Sequence, residues 1–193
     1  MQEFPAYGNG FRMLSIFQTL IGILRLRASP ADLPTSQPLL AAIFVLHAAL
    51  QVFLALQFLP VRDSLPVEAL VSGAFSLLWL RFVLQLFGRP ERFLQTATAA
   101  FGVSCLIAPV SVPLAATVIP KSGVAVQLSP LLALVIVVGF YVVYVNARIL
   151  REAIERSTTQ CLLIFLAGDL LAGLIVFGFF GDGAVPAGAA ARG

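Results

Sequence analysis

The chain has 193 residues, of which 60% are hydrophobic and only 11% carry a charged side chain. Soluble domains are about half apolar and about a quarter charged, so this composition excludes a water-soluble globular enzyme. A net charge of +3, one histidine and two cysteines exclude most metal, haem and disulfide-stabilised sites. Because each crossing needs about 20 apolar residues, the chain has room for about four to six membrane spans.

The first element in chain order is an amphipathic helix at about residues 11–27, within a cytoplasmic N-terminal segment of residues 1–37. Its apolar residues share one side of a helical wheel, and the other side carries Arg12, Ser15, Gln18, Thr19, Gly22 and Arg25. This division is typical of a helix that lies in the membrane interface. A signal peptide is the alternative, but Arg25 and Arg27 stand where an uncharged cleavage region is expected.

Five long apolar runs bounded by charges or prolines predict five transmembrane helices in one domain of residues 38–180. They cover residues 38–59, 67–87, 93–119, 130–148 and 161–180. The fourth helix is expected to continue into the water, and Pro109 and Pro113 predict a kink in the third. Residues 181–193 are predicted to form a flexible, non-cytoplasmic tail. The fold class is therefore all-α membrane protein, with five transmembrane helices after an interfacial amphipathic helix.

The distribution of Lys and Arg predicts how the chain is threaded. Arginines are concentrated before the first span, between the second and third spans, and between the fourth and fifth spans. The other side carries only Arg62, Lys121 and Arg192. Positively charged loops stay in the cytoplasm, so the N-terminus is expected there and the C-terminus on the other side. No basic cluster indicates a nucleic-acid partner.

Three ionisable side chains are predicted at membrane depth, where a charge is costly and often functional. His47 lies near the middle of the first span and Asp169 near the middle of the fifth. Arg81 lies in the second span, about 5 Å to the cytoplasmic side of its midpoint, and could reach either of them. Gln51 lies one turn from His47, and Gln85 lies one turn from Arg81. We predict that these five side chains form a buried polar network.

Three interpretations of this network stay open. Polar pairs often only hold membrane helices together, at about 0.6–2 kcal/mol each. Arg81 could instead extend to the cytoplasmic headgroups without a partner. A proton or ion pathway is the third interpretation. If His47 and Asp169 meet, the first and fifth spans must be neighbours, and Gly168 and Gly173 would let the fifth helix approach closely.

Sequence motifs that carry catalysis are missing from the chain. It has no glycine-rich phosphate loop, no Cys-x-x-Cys pair, no histidines at metal-ligand spacing and no serine nucleophile motif. One histidine cannot supply bis-histidine haem ligation, and Asp169 has no second carboxylate at hand for aspartic chemistry. We therefore predict that the protein is not an enzyme and uses no cofactor and no metal.

Three local features are shared with a known family. They are the interfacial helix, the proline-punctuated segment SPADLPTSQP and the opening of the third span, ERFLQTATAAFG. With the threading, they resemble the Yip (Ypt-interacting-protein domain) family of bacterial inner membranes, over about residues 20–180. The resemblance implies five spans in the inner (plasma) membrane, with a cytoplasmic N-terminus and a periplasmic C-terminus. The family's Asp-Leu-Tyr-Gly-Pro run is missing, so neither its vesicle-traffic role with small GTPases nor any functional residue is carried over.

Two functional hypotheses follow. The missing catalytic motifs and the short loops favour a scaffold or accessory subunit of a larger membrane assembly, with the lipid bilayer and other membrane subunits as partners. The alternative is a small transporter or proton-handling protein that uses His47, Asp169 and Arg81. Replacing Asp169 with asparagine distinguishes them, because a scaffold keeps its partners whereas a proton pathway stops working in a folded protein.

Overall fold

The computed structural model describes residues 9–58, 64–118 and 129–180, with side chains from residue 13 onwards. In these ranges the chain forms six α-helices and two short 3-10 turns, and no strand. Five helices are long and apolar enough to cross a membrane, and a shorter apolar helix precedes them. The predicted fold class is confirmed: this is an all-α, multi-pass membrane protein. The predicted tail, residues 181–193, lies outside the described residues.

The helices begin and end close to the predicted bounds. They are α1 (Asn9–Leu24), α2 (Gln37–Phe58), α3 (Leu65–Leu86), α4 (Phe93–Ala116), α5 (Pro130–Ile154) and α6 (Thr158–Phe180). The start of α5 is fixed by Ser129, whose hydroxyl accepts a hydrogen bond from the Leu132 N–H over 3.2 Å, and by Pro130 in the first turn. Its end is fixed by Glu155, which adopts the left-handed conformation with φ of 56°.

The proline-rich segment between α1 and α2 folds as a compact turn that is attached to α4. Ser29 and Asp32 cap each other's backbone in a capping box around the 3-10 turn Pro30–Asp32. The Gln95 side chain donates to the carbonyl oxygens of Ala31 and Leu33, at 3.0 and 2.8 Å. These contacts position the start of α2 beside the start of α4.

Helix α1 packs on α4 and α5 with one apolar face and leaves another uncovered. Leu20 and Ile23 are buried in a cluster with side chains of α4 and α5. Gly102 makes room for this contact, because a Cβ built there would lie 2.6 Å from Cδ2 of Leu20. Met13 and Phe17 are exposed, so the lipid bilayer covers that face of the helix.

The five long helices close a ring. Around it, α2 packs against α3, α3 against α6, α6 against α5, α5 against α4, and α4 against α2. Within the described part of the chain, α2 and α6 are not packed on each other, because α3 lies between them. The first and fifth spans are therefore not neighbours in the order of the ring, which was the arrangement required for a direct contact between His47 and Asp169.

Most buried residues lie at one end of the ring, where α4 and α6 begin and α3 and α5 end. We call it the basic end because it carries Arg89, Arg92, Arg148, Arg151 and Arg156. The last turns of α5 were expected in water, yet Asn146, Ile149, Leu150, Ala153 and Ile154 are buried. These turns pack on α4 and α6, and side chains of α3 join the same buried cluster. The helix itself continues to Ile154, as expected. The first half of α5 exposes large apolar side chains that face lipid.

Arg92 joins the start of α4 to the end of α5. Its guanidinium donates to the carbonyl oxygens of Glu152 and Ala153, at 2.8 and 3.1 Å. The same group lies 2.7 Å from a Glu155 carboxylate oxygen, and Arg89 lies 2.8 Å from the other. The hydrogen bond from Arg92, followed by the charge of Arg89, lowers the pKa of Glu155 below its ordinary value.

This ion-pair cluster makes stability depend on pH at the basic end. Because the pKa of Glu155 is lower in the folded state, its contribution is present above the ordinary glutamate pKa of about 4.3. It is lost as the pH falls through the lowered value. We expect the Tm difference between wild type and Glu155→Gln to shrink as the pH falls from 7 to below about 4. Glu91→Gln, which removes an exposed acid from the connection between α3 and α4, is the control. A Tm difference that does not change with pH would contradict this assignment.

Candidate functional site

The ring encloses a central cavity of about 160 Å³. Every ring helix contributes a polar side chain to its lining: His47 from α2, Ser76 from α3, Thr96 and Ser104 from α4, Asn146 from α5 and Asp169 from α6. The helices expose large apolar side chains on their outer faces, where lipid covers them. Polar groups that face the interior of a transmembrane bundle are typical of solute, ion and proton sites.

Aromatic and aliphatic side chains complete the walls of the central cavity. Four rings line it, those of Phe75, Trp79, Phe101 and Phe165. Towards the basic end the lining includes Val83 and Leu150, which are buried in the cluster where α3, α5 and α6 meet. The cavity is therefore closed by packed apolar side chains on that side.

His47 presents an unpaired imidazole nitrogen in this region. Its Nδ1 atom is buried and has no hydrogen-bond partner among the described residues. The ring packs edge-to-face on Phe101, with 5.0 Å between the centroids. A buried polar atom without a partner is costly.

Asp169 lines the central cavity from the middle of α6 and is itself exposed. Of the described residues that line the cavity, it is the one that is exposed. It lies about 17 Å along α6 from Thr158, near the middle of the helix. Across the ranges that the structure covers, its carboxylate forms no ion pair within 4.0 Å. A carboxylate at this depth takes up a proton or requires a cation.

A second cavity, of about 320 Å³, lies between α2 and α3 and shares His47 and Ser76 with the central cavity. Its other polar lining residues are Gln51, Glu68 and Ser72. On α3, Glu68, Ser72 and Ser76 are four residues apart and so share one face of the helix. We call the two cavities together the polar path. It extends along α3 for about 12 Å, from near the opposite end of the ring to its centre.

The charges along the polar path have one sign. Its described lining residues include the carboxylates of Glu68 and Asp169 and the imidazole of His47, but no Lys or Arg. A pocket lined by acidic groups in a low-dielectric surrounding attracts cations and repels anions. The path is therefore suited to a proton or a small cation.

Two of the five predicted network residues lie outside the polar path. Arg81 is exposed, and its guanidinium carbon lies 5.8 Å from the centre of the Phe93 ring, towards the basic end. Gln85 is exposed one turn further along α3. Neither lines the two cavities, whereas His47, Gln51 and Asp169 do. Arg81 therefore extends towards the basic end, as the headgroup interpretation requires, but it does so over the Phe93 ring of α4 and not without a partner.

Several residues that line the two cavities were not predicted from the sequence as members of the polar network. The spacing of Glu68, Ser72 and Ser76 was a usable signal, because polar residues four apart mark one face of a helix. Asn146 gave no such signal, since it lies next to charged residues that were expected in water. Its amide group donates to the Val142 carbonyl over 3.0 Å inside the bundle.

A close contact between α3 and α6 positions Asp169. The Trp79 indole N–H donates to the Ile164 carbonyl over 3.3 Å. A Cβ built on Gly168 would lie only 2.5 Å from Cδ1 of the same indole, so glycine is what allows this approach. Because Asp169 follows Gly168 in α6, the contact fixes the backbone that carries the Asp169 carboxylate beside the central cavity.

Among the described residues, no three His, Cys, Asp or Glu side chains are grouped so that they could hold a metal ion. Comparison of the chain with protein-family models, curated proteins and solved structures finds no match. The resemblance to the Yip family therefore stays a prediction. The site must be interpreted from its own geometry.

Proposed function

We propose that this chain is a non-enzymatic membrane protein that takes up a proton or a small cation into the polar path. One observation carries the proposal: all five ring helices place polar side chains around one cavity, and among the described residues the His47 Nδ1 atom has no hydrogen-bond partner and the Asp169 carboxylate forms no ion pair. The transporter hypothesis named three residues. His47 and Asp169 line the polar path and are proposed to act in uptake, whereas Arg81 lies outside the path.

The chemistry of uptake follows from the groups on the path. Glu68 and Ser72 lie near the opposite end of the ring, where a cation would enter from water. His47 lines both cavities, so its imidazole can accept a proton from one and release it to the other. A cation that reaches the centre neutralises the Asp169 carboxylate, which removes the cost of an unpaired charge at membrane depth.

We further infer that the basic end faces the cytoplasm of a bacterial inner membrane. The positive-inside rule and the cluster of arginines at this end support that orientation. The polar path then opens towards the periplasm and is closed towards the cytoplasm. This one-sided access is what a protein that accepts cations from outside requires.

Asp169→Asn tests the proposal because it keeps the shape of the side chain and removes its charge. In liposomes that contain a trapped pH dye, with a potassium diffusion potential as the driving force, we expect proton uptake to fall about tenfold or more. Glu91→Gln removes an exposed carboxylate outside the path and is expected to match wild type. Thermal unfolding of both variants in detergent checks that they are folded.

Two outcomes would overturn the proposal. The first is that liposomes with wild-type protein take up no more protons than empty liposomes under every condition tested. These conditions are the potassium diffusion potential, an inward gradient of Na⁺ and an inward gradient of tetramethylammonium. The second is uptake that Asp169→Asn leaves unchanged. In both cases the unpaired carboxylate would have a structural role alone.

An accessory-subunit role is the second candidate function. It is favoured by Gly139 and Gly173, which have open space where a Cβ would stand. Each lies about 22 Å from the connection between α5 and α6, so the two are at the same depth on neighbouring helices. Small residues on an outer face allow a partner transmembrane helix to approach closely.

Gly173→Leu tests this second role. If a partner helix packs there, the variant should lose proteins that co-purify with wild type in mild detergent, as measured by quantitative mass spectrometry. Leu174→Ala, at an exposed position on the same helix, is the control. Equal recovery of all co-purified proteins would exclude this glycine face as the docking surface.

A further inference from the structure

We propose that the cation bound in the central cavity is a small organic ammonium ion. This inference rests on the proposed function and narrows it from cations in general to one chemical class. The central cavity combines one carboxylate with walls that include aromatic rings, and this combination favours an alkylated ammonium over a divalent metal ion.

The aromatic lining is the first step. Phe75, Trp79, Phe101 and Phe165 come from three different helices and surround the same space. The face of an aromatic ring attracts a cation, by about 0.5–2 kcal/mol for each well-placed ring, and most strongly when water is excluded. Aromatic cages bind quaternary ammonium groups. Here Phe75 and Trp79 stack on each other, with 6.3 Å between the ring centroids, beside the shared space.

The shortage of oxygen ligands is the second step. Calcium requires about six to eight oxygen ligands, and magnesium requires an octahedral set. The central cavity offers one carboxylate, from Asp169, together with the Asn146 amide and a few hydroxyl groups. Within the described residues no cluster of metal-ligating side chains occurs. An ammonium ion needs only one counter-charge, and Asp169 supplies it.

The size of the cavity is the third step. A cavity of about 150 Å³ accommodates a molecule the size of benzene. The central cavity, at about 160 Å³, therefore admits an ion with about five or six heavy atoms, such as tetramethylammonium. It does not admit a whole lipid or a peptide.

Trp79 provides a direct test, because it is the single tryptophan of the chain and lines the cavity. Purified protein is titrated with tetramethylammonium chloride while its tryptophan fluorescence is recorded. We expect a saturable change that sodium chloride at the same ionic strength does not produce. tert-Butanol, a neutral molecule with the same number of heavy atoms, is expected to bind at least about tenfold more weakly.

Two variants distinguish the contribution of the carboxylate to tetramethylammonium binding from the contribution of the aromatic rings. Asp169→Asn is expected to raise the Kd for tetramethylammonium about tenfold or more, whereas Glu91→Gln leaves it unchanged. Phe165→Leu keeps an apolar wall, retains Trp79 and is expected to raise the Kd about threefold to tenfold. If Asp169→Asn proves unfolded, the wild-type comparison of tetramethylammonium with tert-butanol decides the question alone.

A lack of saturable binding of tetramethylammonium to wild type would overturn the inference, as would equal binding of tert-butanol. These results are distinguishable from failure of the proposed function. If proton uptake depends on Asp169 while tetramethylammonium does not bind, the proposed function is supported and the inference that the bound cation is an organic ammonium ion is wrong. If neither binding nor uptake is seen, both proposals fail.

Discussion

Replacing Gly168 with leucine is expected to lower the free energy of unfolding by about 3 kcal/mol. A Cβ at this position would stand 2.5 Å from Cδ1 and 3.0 Å from Cε2 of the Trp79 indole, a rigid ring that cannot bend away. The helices must separate, and the hydrogen bond from Trp79 to the Ile164 carbonyl is then lost as well. Denaturant unfolding in detergent, followed by tryptophan fluorescence, measures the loss.

Gly173→Leu is the matched control, five residues further along the same helix. Apart from its own helix backbone, no atom of the described residues lies within 4 Å of the position that its Cβ would occupy, so the added side chain extends into open space. Its effect on stability should stay within about 0.5 kcal/mol. Equal destabilisation by the two substitutions would show that the contact between α3 and α6 does not hold Asp169 in place.

The number and length of the spans could be predicted because the bilayer imposes them. A helix must satisfy its backbone hydrogen bonds within hydrocarbon, so runs of about 20 apolar residues identify it directly. Local signals then place its ends, such as Ser129 and Pro130 at the start of α5. These signals act over a few residues and do not depend on the rest of the fold.

The order of helices around the ring could not be predicted in the same way. Lipid and protein interiors are about equally apolar, so hydropathy does not tell which face of a span meets another helix. A shared depth allowed His47 and Asp169 to meet, and a direct contact between them would have required adjacent helices. They line one cavity across the ring instead, with Ser76 of α3 on the helix between them.

The end of α5 illustrates a second limit. Residues from Asn146 to Ile154 include charges, which indicated a helix in water. The structure buries the apolar face of this segment under neighbouring helices, while Arg148 and Glu152 pair with each other at 3.2 Å. Sequence pattern identifies an amphipathic helix here as it does for α1. It does not say whether water, lipid or protein covers each face.

The central claim is that the polar path is open to water from one side of the membrane, and Ser76→Cys tests it. In a background with Cys105 and Cys161 replaced by alanine, this thiol would line both cavities. Leu78→Cys is the control, since Leu78 is 67% exposed on the lipid-facing side of α3 and lies about 3 Å away in depth.

The measurement is the rate of labelling by a membrane-impermeant methanethiosulfonate reagent that carries a trimethylammonium group. We expect it to label Ser76→Cys at least about tenfold faster than Leu78→Cys, because a charged reagent reaches a thiol through water and not through hydrocarbon. The labelling should occur from the side opposite the basic end only. Equal rates for the two thiols, or a Ser76→Cys thiol that is labelled only from the basic end, would contradict the polar path.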